Sequence, residues 1–266
     1  MGILNVTPDS FSDGGIFLDP DAAVARGRQM AAEGADLIDV GGESTRPGST
    51  AVPLEEELRR VIPVIRRLAN AVRVPLSIDT SKAEVAAQAL EVGASIVNDV
   101  TALRDDPAMA TVVAERRAAV ILMHMRGTPQ TMQRRPRYRD VVQEVAAFLD
   151  EAARRAMAAG VARRRILLDP GLGFGKTVEH NLALLRRLPE LISLGFSLVI
   201  GPSRKSFLGK ILDAEIHERL PGTLACLAQA MRSGVHIVRV HDVRPAAQFL
   251  RMLSAINGTA RRGRGG

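Results

Sequence analysis

The sequence predicts a (β/α)8 barrel, on three observations. Eight short apolar runs recur along the 266 residues, each bounded by Gly, Pro, Asp or Asn, with segments of helical spacing between them. Nearly every run ends in a polar or charged residue. The length suits one barrel of this kind, which typically runs to about 250 residues.

The runs are Ile3–Leu4, Leu37–Val40, Leu76–Ile78, Ile96–Val97, Val120–Met123, Ile166–Leu168, Leu198–Ile200 and Ile237–Val240. Between them, Leu54, Leu58, Val61, Ile62, Ile65 and Leu68 give one helical face, with a kink expected at Pro63. Val141, Val145, Phe148, Leu149 and Ala152 give a second, and Leu182, Leu185 and Leu188 a third. Strands alternating with helices argue for parallel βα units. An open doubly wound sheet would gather its polar groups at one switch point. Here they follow almost every run: Asn5, Asp39, Asp79, Asn98-Asp99, His124, Asp169, Ser203 to Lys205, and Arg239 with His241. A barrel collects all such ends around one mouth. No linker or low-complexity break divides the chain, so residues 1–257 read as one barrel domain and 258–266 as a disordered Arg/Gly tail.

Composition narrows the rest. Aromatics are scarce, with seven Phe, one Tyr and no Trp, so aliphatic side chains must fill the interior. The single Cys226 excludes an internal disulfide framework and a Cys-based zinc site, and fits a cytoplasmic location. No apolar stretch is long enough to span a membrane, and the start lacks the pattern of a signal peptide. The net charge of +7 permits anionic ligands without identifying one. No nucleic-acid partner is expected, because no aromatics interleave with the basic residues.

Two sets of residues carry chemistry. Asp79, Asn98 with Asp99, and Asp169 close three strands on one mouth. Singly each reads as a helix cap; together they can hold a flat heterocycle through its N–H donors and ring acceptors. The basic set is Arg46, Lys205, Arg239 and His241. Arg239 and His241 alternate correctly to share one face of the last strand. With Asn5, which a closed barrel places beside them, they form an anion site, and Asn5 is a candidate oxygen ligand for Mg2+. The run Gly171 to Thr177 fails as a phosphate loop, since Pro170 stands where its first glycine belongs. It fails as a dinucleotide motif because Lys176 takes the third glycine position. It reads as a flexible connection in which Phe174 can cover a ligand. Residues 7–15 and 41–48, rich in Gly, Ser and Pro, exceed the usual βα loop and read as lids.

These residues resemble a family. Asn5-Val-Thr-Pro-Asp-Ser-Phe-Ser-Asp-Gly-Gly15 and Gly41-Gly-Glu-Ser-Thr-Arg-Pro-Gly48 are similar to two signatures of bacterial dihydropteroate synthases. Ser77-Ile-Asp-Thr80, Asn98-Asp-Val100, Leu168-Asp-Pro-Gly171, Gly201-Pro-Ser-Arg-Lys-Ser-Phe-Leu-Gly209 and Arg239-Val-His-Asp-Val243 continue the match over about residues 2–257. The resemblance implies a homodimeric barrel of the folate pathway. It implies condensation of 6-hydroxymethyl-7,8-dihydropterin diphosphate with 4-aminobenzoate, assisted by Mg2+ and inhibited by sulfonamides. It assigns Asp79, Asn98, Met123, Asp169, Gly201 and Lys205 to the pterin. Asn5, Arg46, Arg239 and His241 go to the diphosphate, with Asn5 also on the metal. Thr45, Pro47, Phe174, Lys205 and Ser206 go to the aminobenzoate. Asp13 orders the first loop, and Asp79, Asp169, Lys205, Arg239 and His241 form the catalytic set. It also implies residues before the first strand, often a hairpin across the barrel floor. This chain starts almost on that strand, which bears on stability more than on catalysis.

Two other readings remain. A pterin-binding methyltransferase acting on methyl-tetrahydrofolate would share the barrel and pocket, but would not need the diphosphate set or the two long loops. An inactive pterin-binding homologue would not need intact motifs.

Overall fold

The computed structural model describes residues 1–7, 19–44 and 48–258. Eight parallel strands follow one another around a barrel in chain order. They are β1 (Gly2–Asn5), β2 (Ile38–Gly41), β3 (Leu76–Asp79), β4 (Ile96–Asp99), β5 (Ala119–Met123), β6 (Ile166–Asp169), β7 (Ser197–Ile200) and β8 (Ile237–Val238). Beyond the short β8 ladder, Val240 bridges Gly2 and closes the ring, with Ile3 N donating to Val240 O at 2.9 Å and Val240 N to Met1 O at 2.9 Å.

Strand alternation splits the apolar residues into two cores. Leu4, Ile38, Val40, Ile78, Val97, Leu122, Leu168 and Ile200 join the large core shared with the surrounding helices. The other parity holds Met1, Leu37, Ile121 and Val199, with Ile96, Leu167 and Ile237 against them, as a plug inside the barrel. Continuing that inward parity toward the strand ends gives Asn5, Asp39, Asp79, Asn98, Met123, Asp169 and Arg239. Registration levels them: Asn5 lies beside Gly41, Asp79 beside Asn98, and Met123 beside Asp169. One apolar plug therefore floors one polar layer.

The helices depart from expectation in detail. Helix α1 (Pro20–Ala32) is capped by Asp19, which accepts from Asp21 N at 2.8 Å. Helix α2 (Leu54–Ala71) continues through Pro63, and it buries Glu57, Val61, Val64, Ile65 and Leu68 while Leu54 is exposed. Helices α3 (Ala83–Glu91) and α4 (Met109–Glu115) are short. Helix α5 (Val141–Ala158) starts at Asp140, whose carboxylate accepts from Val142 N at 2.9 Å and Gln143 N at 3.2 Å. The expected Leu182–Leu188 face breaks at Arg187 into α6 (Val178–Arg186) and α7 (Leu188–Ile192), with Leu184, Leu185 and Leu188 buried and Leu182 only half-buried. Helices α8 (Ser206–Leu212), α9 (Leu220–Ser233) and α10 (Val243–Ile256) complete the ring. No described helix is long and apolar enough to cross a membrane. Cys226 is buried and free.

Asp99 faces away from the barrel axis and organises the turn after β4. Its carboxylate accepts from Thr101 N at 2.8 Å, Thr101 Oγ1 at 2.7 Å and Leu103 N at 2.7 Å. These bonds hold Ala102 and Leu103 at φ 55° and 62°, a left-handed conformation that non-glycine residues avoid. Asp99→Ala removes both acceptor oxygens and with them three hydrogen bonds, and should cost about 3 kcal/mol in denaturant unfolding at neutral pH. An unchanged midpoint would show that the turn is held by other contacts.

Candidate active site

The polar layer lines a pocket at the barrel mouth. Asp79, Asn98, Asp169 and Arg239 supply its polar wall, and Val100, Met123, Leu172, Phe174 and Gly201 the rest. Arg239 reaches across the barrel: Nε donates to Asp39 Oδ2 at 2.6 Å and Nη2 to Asp79 Oδ2 at 2.7 Å. Asn98 Nδ2 adds a bond to Asp39 Oδ2 at 3.0 Å. Asp39 is fully buried, and its Oδ1 has no partner among the described residues. The sequence reading noted Asp39 only as a polar strand end and left it out of the site. Its signal was parity: it stands two residues after Leu37, on the plug-facing side of β2.

Two carboxylates share one guanidinium here, and the electrostatics reflect it. Burial raises the Asp79 carboxyl to about 7, with Arg239 pulling against this and Asp39 adding to it. Burial raises Asp169 as well, while a bond from Gly171 N to its Oδ1 at 2.7 Å opposes the shift. Asp169 Oδ2, Asp79 Oδ1 and Asn98 Oδ1 have no hydrogen-bond partner among the described residues. The pocket thus offers acceptors in excess, which suits a donor-rich heterocycle edge.

The cationic side differs from expectation. Arg239 is turned inward onto carboxylates rather than standing free at the mouth. His241 is neutral: burial first, then Arg239, Arg204 and Lys205, lowers its imidazole to about 3. Its Nδ1 lies 3.0 Å from Ser203 Oγ, which also accepts from His241 N at 3.1 Å. Lys205 Nζ sits 3.9 Å from the Phe174 ring centroid, a cation–π contact at the pocket edge. Ser206 opens α8 and is exposed. Asn5 is half-buried at the end of β1, and its side chain makes no hydrogen bond among the described residues. Asp13, Thr45, Arg46 and Pro47 lie outside the described residues.

The run Gly171 to Thr177 was expected to be a bland, flexible connection. Instead it wraps a buried lysine. Lys176 Nζ contacts His124 Nδ1 at 2.9 Å and donates to Gly171 O and Phe174 O at 3.0 Å each. Burial, opposed by Asp169, lowers this ammonium to about 7, while burial and Lys176 lower His124 to about 2. The neutral imidazole therefore accepts and the lysine donates. Gly171 has φ +66°, and a Cβ there would meet His124 O at 2.0 Å, so only glycine fits. This clasp fixes the backbone on either side of Leu172 and Phe174, both pocket residues. A second clasp was also missed. Lys82 Nζ bonds Glu43 at 2.6 Å and Glu57 at 2.5 Å, and Glu43 Oε2 accepts from Val52 N at 3.3 Å. Gly48 N donates to Pro129 O at 3.0 Å, so the connection after β2 is tied at both described ends.

A barrel with a heterocycle pocket at the carboxyl ends of its strands defines a class of small-molecule enzymes, and the comparisons narrow it. The family profile described as pterin binding enzyme matches residues 1–241. A dihydropteroate synthase of Synechocystis sp. is 50% identical over 257 residues, covering 96% of this chain and 89% of that protein. The Xanthomonas albilineans dihydropteroate synthase solved with 4-aminobenzoic acid superposes with a TM-score of 0.91 at 49% identity, covering 96% of this chain and 92% of that one. The Yersinia pestis dihydropteroate synthase in a sulfonamide drug complex gives a TM-score of 0.92 at 43% identity, covering 97% and 93%. The chain belongs to the pterin-binding enzymes and, within them, to the dihydropteroate synthase family.

The raised carboxyl of Asp79 has a measurable sign. A group with a raised folded-state pKa contributes stability below the ordinary carboxylate range and loses it as pH rises through about 7. Wild type should therefore lose stability relative to Asp79→Asn between roughly pH 4 and 8, read as urea midpoints. A difference that stays flat over that window refutes the assignment.

Proposed function

We propose that this protein condenses 6-hydroxymethyl-7,8-dihydropterin diphosphate with 4-aminobenzoate, releasing 7,8-dihydropteroate, diphosphate and a proton. The observation that carries this reading is the acceptor-rich pocket of Asp79, Asn98 and Asp169 beside Arg239, in a chain so close to the synthases. The pterin's amino and ring N–H donors pair with Asp79 and Asp169, and Asn98 completes the edge. Met123 and Gly201 flank the ring. Asp169, buried and close, stabilises positive charge that develops on the ring. The hydroxymethyl C–O bond breaks, its electron pair leaving with diphosphate. The arylamine nitrogen then attacks the methylene carbon and sheds its proton. No strong base is needed, because the neutral arylamine is already a nucleophile.

Above the ring, Arg46, Arg239 and His241 receive the diphosphate. His241 is neutral before the substrate arrives and acts as a hydrogen-bond donor. The donor set fits Mg2+: the amide of Asn5, unbonded among the described residues, suits an ion that takes most ligands from water and phosphate. Asn5 would hold it through its amide oxygen, and the bound ion supplies charge neutralisation at the leaving group. Lys205 and Phe174 form one wall for the aminobenzoate, with Thr45, Pro47 and Ser206 around it and Asp13 ordering the first loop. The barrel domain spans residues 1–257, works in the cytoplasm and pairs as a homodimer.

Incubation with both substrates and Mg2+ should yield diphosphate and dihydropteroate in equal amounts, with sulfonamides competing against aminobenzoate. Absent turnover in a folded preparation overturns the reading. Lys205→Ala should weaken both substrates about tenfold, since it removes a charged contact shared by their sites. Arg239→Ala should weaken the diphosphate form far more than the plain alcohol, and should cost about 3–5 kcal/mol of stability by leaving two buried carboxylates unpaired. Equal loss for both pterin forms would remove Arg239 from the diphosphate site.

A further inference from the structure

The connection between β5 and α5 carries Arg126, Arg134, Arg135, Arg137 and Arg139, and no acidic residue before Asp140. The two nearest acids downstream are engaged. Asp140 caps α5 and pairs with Arg187 at 3.0 Å, and Glu144 pairs with Arg126 at 3.2 Å. Arg126 also stacks on Tyr138, 4.4 Å from its ring centroid. Arg134, Arg135, Arg137 and Arg139 are exposed, and their side chains make no ion pair or hydrogen bond among the described residues.

This stretch is fastened to the mouth. Met132 is buried in a cluster with Val100, Met123, Met125 and Phe174, three of which line the pocket. Gln133 Nε2 donates to Gly173 O at 2.6 Å, Tyr138 OH to Gly175 O at 2.8 Å, and Pro129 O accepts from Gly48 N at 3.0 Å. The free arginines therefore flank residues that wall the pocket and touch the connections after β2 and β6. Below them lies an interior with more carboxylates than cations. A polyanion reaching the pocket needs a positive field outside it to overcome that interior.

We propose that Arg134, Arg135, Arg137 and Arg139 form a cationic collar that draws the anionic substrate to the mouth and raises its association rate without contacting it in the bound state. The inference rests on the reading above that the pterin arrives as its diphosphate. Unpaired charges at a cleft rim focus the potential and speed encounter, an effect that fades as salt shortens the Debye length.

The test is stopped-flow association, followed by pterin fluorescence, for wild type and a variant with all four arginines changed to Gln. The probes are the pterin diphosphate and the uncharged pterin alcohol. At low ionic strength the variant should bind the diphosphate roughly three- to tenfold more slowly, and near 1 M salt the two proteins should converge. Dissociation rate, kcat and association of the alcohol should not change. Equal association rates at low salt overturn the collar while leaving the proposed reaction intact. Equal slowing of both pterin forms, or a change in dissociation alone, also overturns it, because either points to damaged packing around Met132. Loss of duplex DNA retention as the sole consequence would assign the arginines to a nucleic acid instead. Failure of wild type to bind the diphosphate form overturns the collar and the proposed reaction together.

Discussion

The structure of the site depends on one guanidinium holding two carboxylates apart. Asp39 on β2 and Asp79 on β3 point inward on neighbouring strands, where water cannot reach them freely. Like charges so placed cannot both stay ionised without a cation between them. Arg239 supplies it from across the barrel mouth, one nitrogen to each acid. Its planar fork suits this task, because Nε and Nη2 are fixed in direction while a lysine would offer a single point. Asn98 adds a further donor to Asp39, so β2, β3 and β4 are tied to the residue that follows β8. The cation is still outnumbered. Asp39 keeps an oxygen unpartnered among the described residues, and burial raises the Asp79 carboxyl to about 7. A donor-rich ring can settle this surplus of acceptors, and an apolar or anionic ligand cannot.

Lysine is used differently. The chain has four lysines, and three of them, Lys82, Lys176 and Lys205, lie in the connections after β3, β6 and β7. Lys82 joins two carboxylates beneath the connection after β2. Lys176 gathers two carbonyls and an imidazole beneath Phe174. Each needs a compact ammonium with several acceptors converging on it, a geometry that a flat guanidinium fits poorly. Arginine stacks on exposed faces, as at Arg126 over Tyr138 and Arg163 over Phe196, while Lys205 stacks on Phe174 at the pocket edge.

Much of this was legible beforehand, for a physical reason. A strand has period two, so the apolar plug and the polar mouth obey one parity, and Asp79, Asn98, Asp169 and Arg239 could be read from spacing alone. The pterin and the aminobenzoate could not, and came from motif resemblance. Asp39 escaped because a lone acid inside an apolar strand looks the same whether it caps, pairs or binds. The role of Lys176 escaped because its partners, His124 and the carbonyls of its own connection, meet only after β5 and β6 align. Testing its run against phosphate-binding patterns could reject a function but could not supply a packing role. On α2, spacing placed Leu54 on the inner face, whereas the helix turned Glu57 inward to meet Lys82. The rest of the stripe held: Val61, Ile65 and Leu68 are in the core, and Leu58 and Ile62 pack against it.

The two charge zones also explain why His241 is neutral. Arg239, Arg204 and Lys205 surround it with positive potential, and burial denies it the water that a cation needs. Ser203 Oγ accepts from the His241 backbone and lies 3.0 Å from Nδ1, so one ring nitrogen is anchored to the connection after β7. A donor is thereby held at the mouth without adding charge to a region that has enough. On the proposed reading, an entering diphosphate would offset the potential that keeps the ring neutral, and the cations that repel one another would share a common partner. Selectivity for the diphosphate form would then follow from the layering of charge along the barrel axis: acid below for the ring, base above for what leaves.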